Sequence, residues 1–436
     1  MAYFIIETKE QIAQLPKVDK CFIDLISLSE EAHPQLTSPC VLYYNDFNKG
    51  YIIPFNHTEA FSLTIEDVKP LLECRVYLLD LKWHAQILNL QTTNCIDLYQ
   101  TILDTEGIIK DFSCYTNVHS DYYRKFMYSE DVNTLIPISK HYERCECMFE
   151  TVRPYIGLSG NLPWLNAYTD AYKWVEEQGI CIDEKLFDKY FEPVWKARSI
   201  KNNRIYTSYN LYNITSRPTN AFNGINFLAF TKDNHSRSAL VPENDAFVEF
   251  DFDGYHPRLI ANMISVPFRN NKSVHELLGQ QYFGKAELTP EEYQESKKIT
   301  FRQLYNGVED QYKDIFFFQQ VVELVKAIEA EYKSTGQIQL PNGRILRQSG
   351  FTAQKLFNYY IQCLETVNNV KKLIKLKELF KDKKSKVVLV VYDSILIDYS
   401  AEDPKGFLGE IKAILEEDGF KVKAQKGLNY DFNTKS

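Results

Sequence analysis

Residues 387–400, VVLVVYDSILIDYS, hold two mainly β-branched and aliphatic runs, 387–391 and 395–397, that meet at Tyr392, Asp393 and Ser394. Such runs read as two short buried strands meeting at a turn, which sets an acidic side chain at the tip of an apolar hairpin. A second segment, AFVEFDFD (246–253), alternates Glu249, Asp251 and Asp253 with apolar neighbours. Period-two alternation puts those three acids on one face of a strand. Carboxylates fixed on rigid strand ends suit two divalent ions held about 3.5–4 Å apart. Mg²⁺ fits such a place, because it takes one or two carboxylates and completes its shell with phosphate oxygens and water. Turn and cap roles would equally account for two isolated strand-end aspartates, so the pair needs support from the rest of the chain.

Composition bounds the setting. A chain of 436 residues is expected to form two or three domains at roughly 100–200 residues each. It has no apolar run of about 18 residues that would span a membrane, and its start, MAYFIIETKE, lacks the blocks of a signal peptide. Nine scattered cysteines suit a reducing compartment, the cytoplasm or a viral host's cytoplasm, better than a disulfide framework. The net charge of −8 argues against coating nucleic acid by bulk attraction but leaves room for a local basic groove. One basic patch stands out: residues 371–386 hold eight lysines against Glu378 and Asp382. It reads either as a solvated helix face or as a phosphate-contacting surface.

Residues 1–150 read as α/β, with CFIDLIS, CVLYYND and VYLLDLKW as strands and SLTIEDVKPLLE as a capped helix. A helical segment over 167–197 is interrupted at Gly179. A polar stretch (201–226) leads into AFVEFDFD, and helices are expected over 257–265, 272–283, 290–305, 312–333 and 352–380, with LPNGRIL as a hairpin-like turn. In ESKKITFRQLYNGV, Lys297, Phe301 and Tyr305 are spaced i, i+4, i+8 and share one helix face. A cation followed by two aromatics suits a triphosphate at one end and a base and sugar at the other, and equally an amphipathic helix with a core-facing Phe and Tyr.

In order from about residue 165 to the end, the chain resembles the family A DNA polymerases. RIYTSYN with TSRPTNAFNGIN resembles a segment that contacts the primer–template, FVEFDFDGYHPRLIANMIS the family's motif A, and the Lys–Phe–Tyr helix its motif B. SVHELLGQQYFGK matches the stretch between those motifs, FNYYIQ carries an N-x-x-x-Q, VVYDSI resembles motif C, and GLNYDF the closing segment. The resemblance implies nucleotidyl transfer by two Mg²⁺ ions, with Mn²⁺ as a substitute, held by Asp251, Asp393 and the backbone carbonyl of Phe252. It assigns the incoming nucleoside triphosphate to Lys297, Phe301, Tyr305 and His256, with Lys298 and Arg302 as added charge. It assigns primer–template DNA to Arg204, Arg217, Asn226, Arg258, Asn358 and Gln362. Asp253 would be an auxiliary acid, and His275 a helix-packing residue.

Departures from the family pattern shape the expectations. His256 stands where the family has a Glu that excludes ribonucleotides, and Tyr293 where motif B has an Arg. Motif C reads Y-D-S rather than H-D-E. Asp183 and Arg204 are too close in sequence to enclose a long helical thumb, which implies low processivity without a partner protein. At the N-terminus FIDLIS, LLDLKWH and Tyr142/Glu146 resemble 3′–5′ exonuclease motifs. Asp24 is kept, Ile26 and His84 replace two acids, and Glu146 stands for an Asp, so proofreading is expected to be lost. The expected fold is α/β (α+β): a degenerate RNase H-like exonuclease-type domain at 1–150, a reduced thumb with connecting helices at 151–203, and palm and fingers at 204–436, the fingers at about 266–335. An RNA polymerase or primase-like synthetase on the same palm, and a non-catalytic nucleic-acid-binding subunit, stay open as alternatives.

Overall fold

The structure is a computed structural model that describes residues 3–29, 32–107, 131–158, 163–191, 200–220, 226–227, 230, 235–266, 268, 272–347 and 349–432. The chain divides into two compact units, the first running to Gly179 and taking in residues of 191–208, the second comprising 180–190, 209–220 and the chain from 226 onward.

The first unit is built on a six-stranded sheet of β1 (Phe4–Ile5), β2 (Lys20–Ser27), β3 (Pro39–Asn45), β4 (Gly50–Pro54), β5 (Arg75–Leu78) and β6 (Cys95–Asp97), in the order β1-β4-β3-β2-β5-β6. β2, β3 and β4 form an antiparallel meander, while β5 and β6 run parallel to β2. Because both faces are covered, β2 is apolar almost throughout rather than alternating. Phe22 and Ile26 enter one core and Cys21, Ile23 and Leu25 the other. Five labelled helices belong to this unit: α1 (Lys9–Gln14), α2 (Leu81–Leu88), α3 (Leu98–Glu106), α4 (Ile138–Val152) and α5 (Pro163–Glu176).

Three local expectations change. VYLLDLKW is a strand only as far as Leu78. Asp80 then adopts φ +54 and caps α2 by accepting from the Trp83 N–H at 3.1 Å, a start signal stronger than the continuing apolar run. The helix expected at 62–73 is one turn, Ile65–Val68, followed by a 3-10 turn, because Pro70 cannot donate to a continuing α-helix. The long helical reading over 167–197 ends with α5. Gly179 turns the chain at φ +64, and a strand at Ile180–Ile182 and a helix at Glu184–Tyr190 follow; 192–199 lie outside the described residues.

In the second unit a four-stranded antiparallel sheet is formed by β7 (Ala246–Phe252), β8 (Lys386–Val391), β9 (Ser394–Tyr399) and β10 (Val422–Gly427), in the order β8-β9-β7-β10. The edge strand β8 is capped from outside by Tyr209, whose hydroxyl accepts from the Val390 N–H at 2.8 Å and donates to its carbonyl at 3.0 Å. Around the sheet lie α6 (Tyr255–Met263), α7 (Val274–Phe283), α8 (Pro290–Asn306), α9 (Phe316–Thr335), α10 (Ala353–Leu379) and α11 (Phe407–Glu416). LPNGRIL forms the expected hairpin, pairing Ile338–Gln339 with Ile345–Leu346.

Candidate active site

The hairpin tip is built under strain. Val391 pairs with Ser394, so β8 and β9 are joined by Tyr392 and Asp393 alone, and Tyr392 takes φ +53. A non-glycine residue there costs about 1–2 kcal/mol, and several contacts fix the conformation. The Asn369 amide donates to the Tyr392 carbonyl at 2.9 Å, the Phe252 N–H to the Asp393 carbonyl at 2.9 Å, and the Arg217 guanidinium lies 3.9 Å from the Tyr392 ring centre. Asp251 pairs with Ser394 across the ladder, so Asp393, the turn residue just before β9, lies beside the end of β7. Burial pushes the Asp393 carboxyl above its ordinary range, and the nearby Glu365 adds to the shift.

The turn out of β7 is equally constrained. Gly254 sits at φ +60 as the N-cap of α6, and a Cβ there would come within 2.9 Å of Val274. Tyr255 stacks on Phe252 at 4.2 Å, and its buried hydroxyl donates to Asn369 at 2.5 Å and accepts from Asn368 at 2.7 Å. These contacts bind the Asp251–Asp253 strand end to α10, the helix that also steadies Tyr392.

α8 begins at a capping box between Thr289 and Glu292, with Pro290 in its first turn. Its Ser296, Thr300 and Gln303 face is buried; Ser296 donates to the His275 carbonyl at 2.8 Å and Thr300 bonds the Tyr282 hydroxyl at 2.8 Å. That packing leaves the adjoining face for Lys297, Phe301 and Tyr305. All three line a cleft of 360 Å³ together with Asp251, Asp393 and His256. Phe301 and Tyr305 lie nearly parallel at 6.1 Å, and Phe301 is 39% exposed, an apolar ring left facing the cleft.

A buried chain of polar contacts closes one end of the cleft. His256 bonds the Tyr305 hydroxyl through Nδ1 and Glu365 Oε2 through Nε2, and Glu365 Oε1 accepts from Arg217 Nε at 3.1 Å. Glu365 is 1% exposed. Burial opposes its ionisation, but the hydrogen bond and charge of His256 and the charge of Arg217 outweigh that and hold it below the ordinary carboxylate range. Tyr305 is pushed up by burial and stays a neutral phenol. Glu365 carried no signal in the sequence, since it sits inside a helical apolar pattern far from either acidic strand.

The other candidate residues fall elsewhere. Arg217 lines the cleft. Arg258 is buried, donating from Nε to the Asp253 carbonyl at 2.9 Å and pairing with the Asp253 carboxylate at 3.6 Å; it braces the strand end and has no face for DNA. Lys298 is exposed with Glu295 at 3.6 Å, Arg302 is exposed with Glu309 at 3.1 Å, and neither lines the cleft. Asn358 donates to the Tyr305 carbonyl at 3.2 Å, and Gln362 is half-buried one turn further along α10. Asn226 is exposed, while its neighbours 221–225 lie outside the described residues. Arg204 belongs to the first unit, where it donates to the Gln178 carbonyl at 3.2 Å. Four of the eight lysines of the patch pair with acids from outside it: Lys372 and Lys375 with Glu417, Lys384 with Glu402 and Lys386 with Glu243.

Two residues gain weight. His275 is 3% exposed, lines the cleft 5.4 Å from Phe301, and its Nδ1 has no hydrogen-bond partner among the described residues. Burial and the surrounding lysines lower its pKa to about 4, so the ring is neutral and able to donate or accept. Lys423, opposite Asp251 on β10, also lines the cleft.

In the first unit, Asp24, Asp80, His84 and Tyr99 line a cleft of 310 Å³. His84 Nε2 accepts from the Leu25 N–H at 3.1 Å, and Nδ1 donates to the Asp80 carbonyl at 3.0 Å. Both ring nitrogens are thus engaged, and Nε2 lies 3.9 Å from Asp24. Asp97 caps the N–H groups of Leu81 and Tyr99, each at 2.9 Å. Glu146 does not line this cleft and accepts from the Tyr43 hydroxyl.

No family model and no curated protein sequence matches the chain. Among solved structures it is similar to the polymerase (POL) domain of Pol1 from M. smegmatis in complex with DNA primer-template and dNTP, with a TM-score of 0.68. The match covers 98% of this chain and 98% of that one at 14% sequence identity. The chain therefore shares the fold of a polymerase domain. No described helix is long and apolar enough to cross a membrane.

Proposed function

We propose that the chain is a template-directed DNA polymerase that extends a primer 3′-hydroxyl with deoxynucleoside triphosphates. The observation that carries this reading is the single cleft in which Asp251, Asp393, Lys297, Phe301, Tyr305 and His256 meet. The donor set suits divalent magnesium: hard carboxylate oxygens of Asp251 and Asp393 and the backbone carbonyl of Phe252, all residues that line one cleft. Asp393 gives the physical test of fit, because burial and Glu365 disfavour its charge and a cation there would relieve that strain. Once bound, two such ions supply activation of the attacking hydroxyl and neutralisation of charge on the leaving oxygens.

The remaining roles belong to the chain itself. Lys297 offers a cation to the triphosphate, and His275 a neutral hydrogen bond beside it. Phe301 and Tyr305 present a flat apolar wall for the new base pair, where stacking and shape select the match. Arg217, locked by Glu365 and stacked on Tyr392, is placed to meet the primer terminus. His256, tied on both sides to Tyr305 and Glu365, bounds the space for the sugar and determines the choice between deoxy- and ribonucleotides. The first unit serves as a scaffold without proofreading, since the spent capping acids and the engaged His84 leave no set of four carboxylates in its described cleft.

Primer extension on a primed template tests the reading, run with dNTPs and rNTPs in parallel and with Asp393→Ala as control. Extension by the wild type that the variant lacks supports it. Equal extension by both would sink it, and extension with rNTPs alone would transfer the assignment to an RNA polymerase. Metal-dependent degradation of single-stranded DNA that Asp24→Ala abolishes would refute the loss of proofreading.

A further inference from the structure

We propose that Lys423 is a second phosphate-binding cation, working opposite Lys297 on the terminal phosphates of the incoming nucleotide, and that Asp253 parks it until the nucleotide arrives. The proposal rests on the polymerase reading above and adds a residue from an element that the reading leaves without a role.

Lys423 stands on β10, the edge strand of the sheet, directly across from Asp251. Its side chain is 62% exposed and lines the same cleft as Lys297, which enters from α8. The two ammonium groups therefore approach one cleft from separate elements. A nucleotide's terminal phosphates carry several negative oxygens and are met best by cations from more than one side. Lys298 and Arg302, the other basic residues of this part of α8, lie beside Glu295 and Glu309 on the exposed face and do not line the cleft. Lys297 makes no ion pair among the described residues and rests 4.8 Å from the Tyr293 ring centre.

The ion pair of Lys423 is built to be exchanged. Its Nζ lies 2.7 Å from Asp253 Oδ1, but Asp253 has other partners. The Ser273 hydroxyl donates to the same oxygen at 3.1 Å, and the buried Arg258 guanidinium lies 3.6 Å from the other. Departure of Lys423 would leave the buried carboxylate still hydrogen-bonded and still facing a cation, which avoids the cost of stranding a charge. Arg258 is fixed by three backbone carbonyls and stays behind. Lys423, on a flexible four-carbon stem, is the partner free to turn toward a phosphate.

The test uses the full chain and two readouts: calorimetric binding of inorganic tripolyphosphate with Mg²⁺, and the KM for dNTP in single-nucleotide incorporation. Lys423→Met is expected to weaken tripolyphosphate binding and raise KM about ten- to a hundredfold, while Lys423→Arg stays near wild type. Asp253→Asn is expected to tighten binding by releasing the lysine. The double variant Asp253→Asn/Lys423→Met is expected to remain as weak as Lys423→Met. If Lys423 serves only to neutralise Asp253, the double variant returns to wild-type binding, and the proposal fails. It also fails if Lys423→Met binds tripolyphosphate as the wild type does. A wild type that binds tripolyphosphate through Lys423 yet extends no primer would overturn the polymerase reading and leave the phosphate site standing.

Discussion

Replacing Glu365 separates two tasks that this carboxylate performs at once. It is the one acid between His256 and Arg217, at 1% exposure. Truncation to alanine leaves two cationic or polar partners facing an apolar gap, and breaking a buried ion pair from one side costs about 3–5 kcal/mol. The Arg217 side chain is 26% exposed and can recover hydration, so the lower end, about 3 kcal/mol, is expected. Glu365→Gln keeps the volume and an oxygen for Arg217, but its amide can donate to His256 only if Nε2 carries no proton. The imidazole would then give up the Nε2 proton it offers Glu365, and Nδ1 would donate to the Tyr305 hydroxyl. That rearrangement costs about 1–2 kcal/mol of stability and alters the wall against which the sugar is judged. Urea unfolding followed by fluorescence measures the first effect. Single-nucleotide incorporation with each sugar measures the second: the ratio of kcat/KM for dNTP over rNTP is expected to move about tenfold in Glu365→Gln, with dNTP kcat changed much less. Wild-type stability of Glu365→Ala would show that the network contributes nothing to folding. An unmoved sugar ratio in Glu365→Gln would remove its role in setting His256.

Other outcomes follow from single sites. Asp393→Asn is expected to abolish incorporation while leaving Tm equal or higher, because burial already disfavours the native charge; a clear fall in Tm would contradict this. Lys82 pairs with Glu176 at 2.6 Å, with side chains 6% and 0% exposed. Lys82→Met is therefore expected to cost the first unit about 3–5 kcal/mol and Lys82→Met/Glu176→Leu to regain most of it, as read from denaturant midpoints. His33 donates from Nε2 to the Thr207 carbonyl at 3.0 Å and accepts from the Gln35 N–H at 3.1 Å, and burial lowers its pKa from 6.5 to about 3. The unfolded chain binds the extra proton first, so this stability is complete above pH 6.5 and lost as pH falls toward 3. The slope contributed is about 1.4 kcal/mol per pH unit, and unfolding measured between pH 7 and 4.5 should flatten in His33→Gln.

What could be read in the sequence was whatever a local period dictates. Alternation in AFVEFDFD put Asp251 and Asp253 on one face, and four-residue spacing put Lys297, Phe301 and Tyr305 on another; each pattern fixes a direction without knowledge of what lies opposite. The hairpin at Asp393 was legible because two β-branched runs tolerate only a short break. Charge pairing has no such period. The eight lysines of 371–386 formed one basic block in the sequence, yet four of them find acids at Glu243, Glu402 and Glu417, from 18 to 143 positions away. The same blindness hid Lys423, which stands among unremarkable strand residues, and Glu365, whose partners lie 109 and 148 positions distant. It also made Arg258 look like a DNA contact when its guanidinium turns back onto Asp253. Which partner a cation takes, near or distant, thus shows only in the folded chain. A count of local charge would assign the triphosphate to Lys298 and Arg302, while the folded chain spends those two on neighbouring glutamates. Lys297, without an ion pair among the described residues, and Lys423, from the edge strand, line the cleft with Asp251.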